Sequence, residues 1–420
     1  MSSSLKTIER SQDFFSIITN PVNIRQAYFD AVLKFDTDSK SGRYRGIDGT
    51  KMDTVDFISK DVLASVRDEI VNLSKISPAY MVTIPKKNGK KRKIYVYSLK
   101  ERIKAEAIYR ALLPFFDAYF SPYLFSYRSS HPSYYAARSA VRRYKRYYGS
   151  NYVLVADIAD YADTIDHSIL MKKLRKVGLD EKTLTLLELF IKTDTFEEGT
   201  LVERPRGVLT GTPLYALLSN FYMDEFDKWA GKRVALYRRV GDDIIAFDKD
   251  RRKIADVHAK LLQTVDKLKL KLNTDKVRLI PDSEEFKFLG YSFKRGRIGF
   301  DESSKERIVA RWKQQLMRAR RKSTGKKIQH VRSLAAKKNR SNNLSDQFAE
   351  LLNQKMLVND TAQVREISEH FFKLLTTLFA DSASPKNRRE ARELMMKTNA
   401  PNFFKLYLDL HYRKNYAHSR

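Results

Sequence analysis

Apolar and polar positions follow two different periods along the chain. Between Lys249 and Leu272, and again from Glu101 to Phe120, apolar residues recur at helical spacing. Met81–Ile84 and Lys93–Tyr97 alternate with a period of two around Asn88-Gly89, which predicts a β-hairpin. Helical and strand-like segments both occur, so the sequence predicts an α+β fold.

Two strand-like runs end in carboxylates. The apolar run from Tyr152 to Ala156 predicts a buried strand that ends at Asp157. Further along, Gly241 gives the backbone freedom for a tight turn that carries Asp242 and Asp243. If these three carboxylates met, they would repel by roughly 1 to 4 kcal/mol per pair at about 4 Å. Bound cations would make such a cluster stable at neutral pH.

Magnesium is the cation that this arrangement favours. It takes hard oxygen ligands, and a pair of Mg²⁺ ions, with Mn²⁺ as an alternative, can stabilise an attacking hydroxyl and a leaving pyrophosphate. A solvated hairpin tip is the alternative interpretation of the Gly-Asp-Asp turn. Asp160, Asp163 and Asp166 recur every third residue, which predicts a polar helix face and no metal role.

Composition narrows the class of partner. The chain has 420 residues and 80 Lys and Arg against 50 Asp and Glu, a net charge of +30. Nucleic acid is the polyanion that such a charge favours. No apolar run is long enough to span a bilayer, so no membrane partner is predicted. Without cysteine there is no disulfide or thiolate site, and a reducing cytoplasm is the expected compartment.

Eight blocks in one order resemble those of bacterial reverse transcriptases, over most of residues 40 to 300. This lineage includes group II intron, retron and abortive-infection enzymes. The similar blocks are Gly46–Gly49, Ile84–Ile94, Phe125–Arg128, Asp157–His167, Arg206–Asn220, Val240–Asp243, Leu270–Lys276 and Phe288–Tyr291.

The resemblance implies a right-hand polymerase fold with fingers, palm and thumb, and it implies roles for individual residues. The metal ligands are Asp157, Asp242 and Asp243 with the main chain of Ile158. The expected nucleotide-binding residues are Lys87, Arg92, Ala162, Thr210, Gly211 and Lys276. Of these, Arg92 and Lys87 would hold the triphosphate, and Lys276 would donate a proton to the pyrophosphate.

Three positions depart from the family pattern. Ala162 stands where an aromatic residue usually excludes the ribose 2′-hydroxyl, Thr210 replaces a Gln, and Val240 replaces a Tyr. Each change puts a smaller side chain near the expected nucleotide. Either the discrimination between sugars is weakened, by about 1 to 3 kcal/mol, or Tyr161 fills the gap.

Basic residues interleaved with aromatic ones indicate contacts with nucleic acid. Tyr135 is predicted to be buried in this stretch. The residues expected to contact nucleic acid are Arg128, Arg142, Arg143 and Arg146, together with Arg311 and Arg318 on a later helix.

Five segments are predicted: an N-terminal helical segment (1–75), fingers (76–150), palm (151–285), primer grip and thumb (286–340) and a C-terminal helical module (341–420). Ser303–Glu306 has the pattern of a capping box, and Lys326–Arg340 that of a basic connector.

The expected function is that of a reverse transcriptase in a bacterial antiphage defence system. Its predicted partners are a non-coding RNA template, the DNA product and deoxynucleoside triphosphates, with a homo-oligomer or a second reverse transcriptase or effector protein as a further partner. Two alternatives stay open: template-independent or protein-primed synthesis, and an RNA-binding scaffold with a vestigial core.

Overall fold

The computed structural model describes residues 13–36, 60–85, 91–335, 358–379, 393, 396–397, 400 and 402–408. The chain divides into two compact units. The first comprises Met1–Ala136 and Ala156–Leu279, and the second comprises Ala137–Val155 and Ile280–Arg420. The predicted division into five segments stays a prediction.

Helices and short strands alternate in the first unit, as the two periods of the sequence predict. Its helices are α1 (Phe14–Ile18), α2 (Pro21–Asp36), α3 (Lys60–Val71), α4 (Leu99–Tyr119), α6 (Tyr161–Thr164), α7 (His167–Leu174), α8 (Glu181–Ile191), α9 (Pro213–Tyr222), α10 (Asp224–Arg233) and α11 (Arg251–Lys267), while α5 (Ser133–Tyr147) continues into the second unit.

The predicted basic hairpin belongs to a four-stranded sheet. Its strands are β1 (Ala79–Pro85), β2 (Lys91–Val96), β4 (Thr195–Glu197) and β5 (Thr200–Val202), in the order β2-β1-β4-β5. β1 and β2 pair antiparallel, with Tyr80 opposite Val96. The hairpin tip, including Lys87, lies outside the described residues, as does the Gly46–Gly49 block.

A second sheet carries the predicted carboxylates. It consists of β3 (Tyr152–Asp157), β6 (Leu236–Val240), β7 (Asp243–Asp248) and β8 (Arg278–Pro281), in the order β6-β7-β3-β8. The strand predicted before Asp157 is therefore confirmed. β6 and β7 form an antiparallel hairpin in which Val240 faces Asp243.

The second unit combines a small sheet with helices. β9 (Phe286–Phe288), β10 (Tyr291–Lys294) and β11 (Arg297–Phe300) pair antiparallel, and α12 (Glu302–Met317), α13 (Thr324–Ala335) and α14 (Thr361–Phe379) follow. The core of the helical part is aromatic: the Trp312 ring stacks on Phe403 at 4.4 Å and meets the edge of Phe371 at 5.1 Å. The α+β class predicted from the sequence is confirmed.

Several local predictions were wrong, and each has a physical reason. The cap of α12 is Asp301, whose carboxylate accepts a bond from Ser304 N at 2.8 Å, so Ser303 is not the capping residue. Part of the expected basic connector is helix α13. Tyr135 is 43% exposed, because Ala136, Ala137 and Ala140 provide the buried face of α5.

The chain from Pro213 to Arg233 forms two helices, α9 and α10, which meet at Met223. The sequence around this break has neither proline nor glycine. Tertiary contacts fix it: Asp224, the first residue of α10, is buried and accepts a bond from Ser121 N at 2.8 Å.

We predict that Gly231→Ala destabilises the protein. Alanine normally favours a helix over glycine by about 1 kcal/mol. At this position on α10 a Cβ would come within 1.8 Å of the Tyr123 ring, so overpacking should reverse the sign and cost about 1 to 3 kcal/mol.

The control is Gly325→Ala on α13, where an added Cβ meets no atom within 4 Å. This variant should be neutral or slightly stabilising. Urea unfolding of both variants measures the difference, and equal stabilities would contradict the close packing of α10 on Tyr123.

Candidate active site

A main-chain hydrogen bond brings the two predicted carboxylate segments together. The N–H of Ile158, directly after β3, donates to the main-chain oxygen of Asp242 at 3.2 Å. On the other side of the strand end, the N–H of Asn273 donates to the Asp157 main-chain oxygen at 2.8 Å. Asp157 is thus fixed beside the turn that carries Asp242, as the sequence analysis expected. A metal role for the Ile158 main chain stays a prediction.

The turn itself consists of two residues. Gly241 has φ +65°, and Asp242 follows it before β7 begins at Asp243. Positive φ at the first central residue of a two-residue hairpin favours glycine. Asp242 lies in the turn, whereas Asp243 is the first residue of β7. The two neighbouring side chains are therefore attached to differently structured parts of the backbone.

Two basic residues, Lys276 and Arg92, influence the pKa of Asp242. Asp242 is exposed, yet the surrounding protein reduces its hydration and raises its pKa. The nearby charge of Asp157 raises the pKa further, while Lys276 and Arg92 oppose this rise. A predicted metal ligand (Asp157), a predicted proton donor (Lys276) and a predicted triphosphate-binding residue (Arg92) therefore all influence the pKa of Asp242, which supports a shared site in the first unit.

Lys276 contacts Asp157. Its Nζ lies 2.7 Å from Asp157 Oδ2. Burial alone would lower the pKa of Lys276, but the hydrogen bond and charge of Asp157 outweigh it and raise the pKa. Lys276 is therefore protonated at neutral pH and carries the proton that a donor requires.

The donor set fits magnesium in its chemistry, since hard cations prefer carboxylate oxygens. Within the part of the chain that the structure describes, no three acidic or histidine side chains stand together as a ready-made metal site. The Lys276 ammonium balances the charge of Asp157 in this arrangement. Asp157, Asp242 and Asp243 are the residues that would hold the ions.

Two predicted nucleotide-binding residues, Thr210 and Gly211, contact β2. The Thr210 hydroxyl donates to Lys93 O at 2.9 Å, and Tyr95 N donates to Thr210 O at 2.9 Å. Gly211 has φ +94°, and a Cβ there would lie 2.7 Å from Ile94 Cγ2. Glycine is required because backbone and strand approach so closely. Arg92 is exposed on the same strand.

Tyr161 does not fill the place of the missing aromatic residue at position 162. Its side chain is buried, and its hydroxyl donates to Ser219 O on α9 at 2.5 Å. Ala162 is half-buried, and its main-chain oxygen accepts a bond from Val208 N at 2.8 Å. Position 162 therefore presents only a methyl group.

Two tyrosines that the sequence analysis did not single out lie at this site. The Tyr127 ring, 54% exposed and with φ +55°, is 5.7 Å from the Tyr215 ring in an edge-on arrangement. Burial raises the pKa of Tyr215, and the charge of Asp242 raises it further, so its phenol stays neutral. The positive φ of Tyr127 cannot be read from sequence periodicity.

The predicted nucleic-acid contacts have different surroundings. Arg128 is a correction: it is buried, and its guanidinium bonds to Asp117 and to the main-chain oxygens of Ser121 and Leu124. It holds its own loop and offers no exposed guanidinium to a ligand. Arg143 is half-buried, stacks over Tyr147 and donates to Asn151.

The other four predicted nucleic-acid contacts are exposed. They are Arg142, Arg146, Arg311 and Arg318. Their contacts with nucleic acid stay predictions. In the described residues, no helix has the length and apolar character needed to cross a membrane.

The turn formed by Gly241 and Asp242 rests on a fully buried ion pair. The Arg239 guanidinium contacts Asp227 at 2.6 Å, and both side chains are completely buried. Burial alone would lower the pKa of Arg239, but the charge and hydrogen bond of Asp227, together with Tyr161 and Tyr237, raise it above its ordinary value. The Arg239 guanidinium therefore stays charged beneath the turn.

Comparison with known proteins identifies the class. The reverse transcriptase (RNA-dependent DNA polymerase) family matches residues 84–293, half of the chain. The chain belongs to the reverse transcriptase family and is an RNA-directed DNA polymerase, a nucleotidyltransferase. An RNA template and a DNA product follow from this membership.

Individual relatives are distant. Protein YkfC of Escherichia coli is 26% identical over 331 residues, which cover 69% of this chain and 85% of YkfC. The putative COX1/OXI3 intron 1 protein of Saccharomyces cerevisiae is 25% identical over 194 residues, 46% of this chain and 23% of the yeast protein.

Two solved telomerase structures are also similar. Telomerase from Candida albicans, in complex with a fragment of telomeric RNA, aligns with TM-score 0.45 and 12% identity, over 77% of this chain and 67% of the telomerase. Apo telomerase from Candida tropicalis aligns with TM-score 0.42 and 16% identity, over 54% and 55%.

We predict that Asp157→Asn abolishes nucleotide addition. The loss should be on the order of 10³-fold, because several kcal/mol of charge stabilisation correspond to that factor. Asp160→Asn is the matched control. Asp160 is exposed three residues further on and has φ +44°, a conformation that asparagine tolerates.

Primer extension with purified protein and Mg²⁺ distinguishes the two variants. Activity of the Asp157 variant equal to that of the Asp160 variant would contradict the assignment of Asp157 as a metal ligand.

Proposed function

We propose that this reverse transcriptase makes cDNA by two-metal nucleotidyl transfer in a bacterial antiphage defence system. The observation that carries the catalytic part is the main-chain bond from Ile158 to Asp242, which joins the end of β3 to the Gly-Asp-Asp turn. A pair of bound Mg²⁺ ions would supply charge stabilisation at the attacking and leaving oxygens. Asp157, Asp242 and Asp243 hold this pair.

The basic residues around the turn act on the triphosphate. Arg92 is exposed on β2 and close enough to lower the pKa of Asp242, so it can bind phosphate oxygens beside the carboxylates, with Lys87 as its partner. Lys276 gives its proton to the leaving pyrophosphate. Positioning and charge neutralisation of this kind account for most of the catalysis of phosphoryl transfer.

The pocket for the nucleotide is wider at the sugar than is usual in the family. Ala162 contributes a methyl group, and the buried Tyr161 hydroxyl is bound to Ser219 O. Thr210 and Gly211 line the pocket through their contacts with β2. We infer that the enzyme discriminates weakly against ribonucleotides.

The defence role is supported by the drift of the recognition residues while the carboxylates are kept. Group II intron proteins usually retain the aromatic residue, Gln and Tyr that are Ala162, Thr210 and Val240 here, and the Val-Thr-Gly triplet typical of retrons is absent from the sequence. A non-coding RNA as template and the cytoplasm as compartment complete the proposal, with a further copy or an effector protein as partner.

Template-independent or protein-primed synthesis is the second candidate. The exposed Tyr127 phenol next to Tyr215 favours it, because Tyr215 lies close enough to Asp242 to feel its charge. A hydroxyl supplied by the protein would then replace the primer 3′ end.

We predict that DNA synthesis requires RNA. The experiment incubates purified protein with single deoxynucleotides and Mg²⁺, with and without RNA. Products that appear only with RNA support the proposal, and equal products without RNA support the second candidate. A lack of product under both conditions would leave an RNA-binding scaffold as the function.

A second prediction concerns the sugar. Ala162→Phe should restore a ring beside the ribose and increase discrimination against ribonucleotides by about 10- to 100-fold, the factor expected for a lost shape clash. Competition between dNTP and rNTP in primer extension measures this ratio. Wild-type and variant enzymes with the same ratio would exclude position 162 as the reason for weak discrimination.

A further inference from the structure

Gly241, the glycine of the catalytic turn, is hydrogen-bonded through both its N–H and its main-chain oxygen. The N–H of Gly241 donates to the Ser126 hydroxyl at 2.9 Å. The main-chain oxygen of Gly241 accepts a bond from Arg239 Nη1, also at 2.9 Å. Both bonds come from buried residues directly beneath the turn, so the orientation of the residue before Asp242 is fixed by protein contacts.

Each of these two partners is itself fixed by further bonds. The Ser126 hydroxyl donates to Asn220 Oδ1 at 2.9 Å, and Asn220 Nδ2 donates back to Ser126 O at 2.7 Å. Arg239 Nη2 donates to Asn220 O at 2.9 Å and to Asp227 Oδ2 at 2.6 Å. Asn220 on α9 therefore connects Ser126 with Arg239, and these two residues both bond to Gly241.

The loop that carries Ser126 is tied to the same strand. Phe125 N donates to Arg239 O at 2.8 Å, and Arg239 N donates to Tyr123 O at 3.1 Å. Arg128 fixes the other side of this loop through Asp117 and Ser121. These main-chain bonds couple the loop to β6, so they fix the position of Ser126 relative to Gly241.

We propose that Ser126, Asn220, Arg239 and Asp227 are positioning residues that set the Gly241 peptide and thereby aim the Asp242 carboxylate at the metals. This inference rests on the proposed two-metal function. It assigns a role to the Phe-Ser-Tyr-Arg segment, whose serine reaches the catalytic turn although it is 115 residues away in sequence.

The test uses Ser126→Ala, which removes one hydroxyl and leaves the ion pair intact. Misplacement of a catalytic group by about 1 Å costs on the order of 100-fold, so we expect kcat to fall by about 10- to 100-fold while KM for the nucleotide changes less than about 2-fold. Ser126→Thr, which keeps the hydroxyl, should recover most of the loss.

Ser219→Ala is the matched control. Ser219 is also a buried serine, next to Asn220 on α9, but its hydroxyl contacts Ala216 O and not the turn. The control should keep the wild-type kcat. Equal kcat values for the Ser126 and Ser219 alanine variants, or a change confined to KM, would overturn the proposal.

Two measurements do not depend on turnover. Mn²⁺ binding, followed by electron paramagnetic resonance without substrate, should weaken in Ser126→Ala and not in Ser219→Ala. In wild-type protein the Gly241 amide should exchange with deuterium at least about 100-fold more slowly than an unprotected amide. Fast exchange of Gly241 in the wild type would overturn the proposal even if Ser126→Ala fails to fold.

The outcomes separate this inference from the function on which it rests. A wild-type protein that extends a primer on RNA, combined with an unchanged Ser126→Ala variant, contradicts only the positioning role. A wild-type protein without synthesis, but with a protected Gly241 amide and Mn²⁺ binding that depends on Ser126, contradicts only the polymerase assignment.

Discussion

The hydrogen bond from Ile158 N–H to the main-chain oxygen of Asp242 is the contact on which the site depends. It joins two segments that are far apart in sequence, and it places the end of β3, with Asp157, beside the hairpin turn that carries Asp242. Reduced hydration and, to a smaller extent, the charge of Asp157 raise the pKa of Asp242, so the arrangement disfavours the ionised carboxylate. The fold compensates with a buried support below and with Lys276 at the side.

The buried Arg239–Asp227 pair shows how that support is constructed. Breaking a buried pair by removing one partner typically costs about 3 to 5 kcal/mol, whereas replacing both partners can be neutral. A pair of this kind therefore fixes the positions of its side chains more than it stabilises the fold. Here every guanidinium nitrogen of Arg239 has an acceptor, and one of these acceptors is the Gly241 carbonyl. Arg239, which precedes the Gly241-Asp242 turn in sequence, therefore also lies beneath this turn.

Much of this site could be predicted from the sequence because its signals are local. The strand end is indicated by a run of apolar residues that stops at Asp157. The turn is indicated by a glycine before two aspartates. The order of the blocks then indicates the reverse transcriptase family, to which the chain belongs. Helix α4 and the β1–β2 hairpin were predicted for the same reason, since their signals also lie within short stretches of sequence.

The errors arose where long-range contacts decide. Arg128 looks like an exposed basic residue, but Asp117 and two main-chain oxygens take up its guanidinium. The sequence left open whether Tyr161 fills the gap at position 162, because its buried partner on α9 is distant in sequence. The break between α9 and α10 depends on Asp224 and Ser121, about a hundred residues apart. Ser126 and Tyr215 were not singled out because their neighbours in space are distant in sequence.

Anomalous scattering from crystals soaked with Mn²⁺ would show whether the two carboxylate segments share metal ions. We expect Mn²⁺ peaks that are contacted by carboxylate oxygens of Asp157 together with those of Asp242 or Asp243. Peaks elsewhere on the protein, with Asp157 still bound only to Lys276, would contradict a shared site.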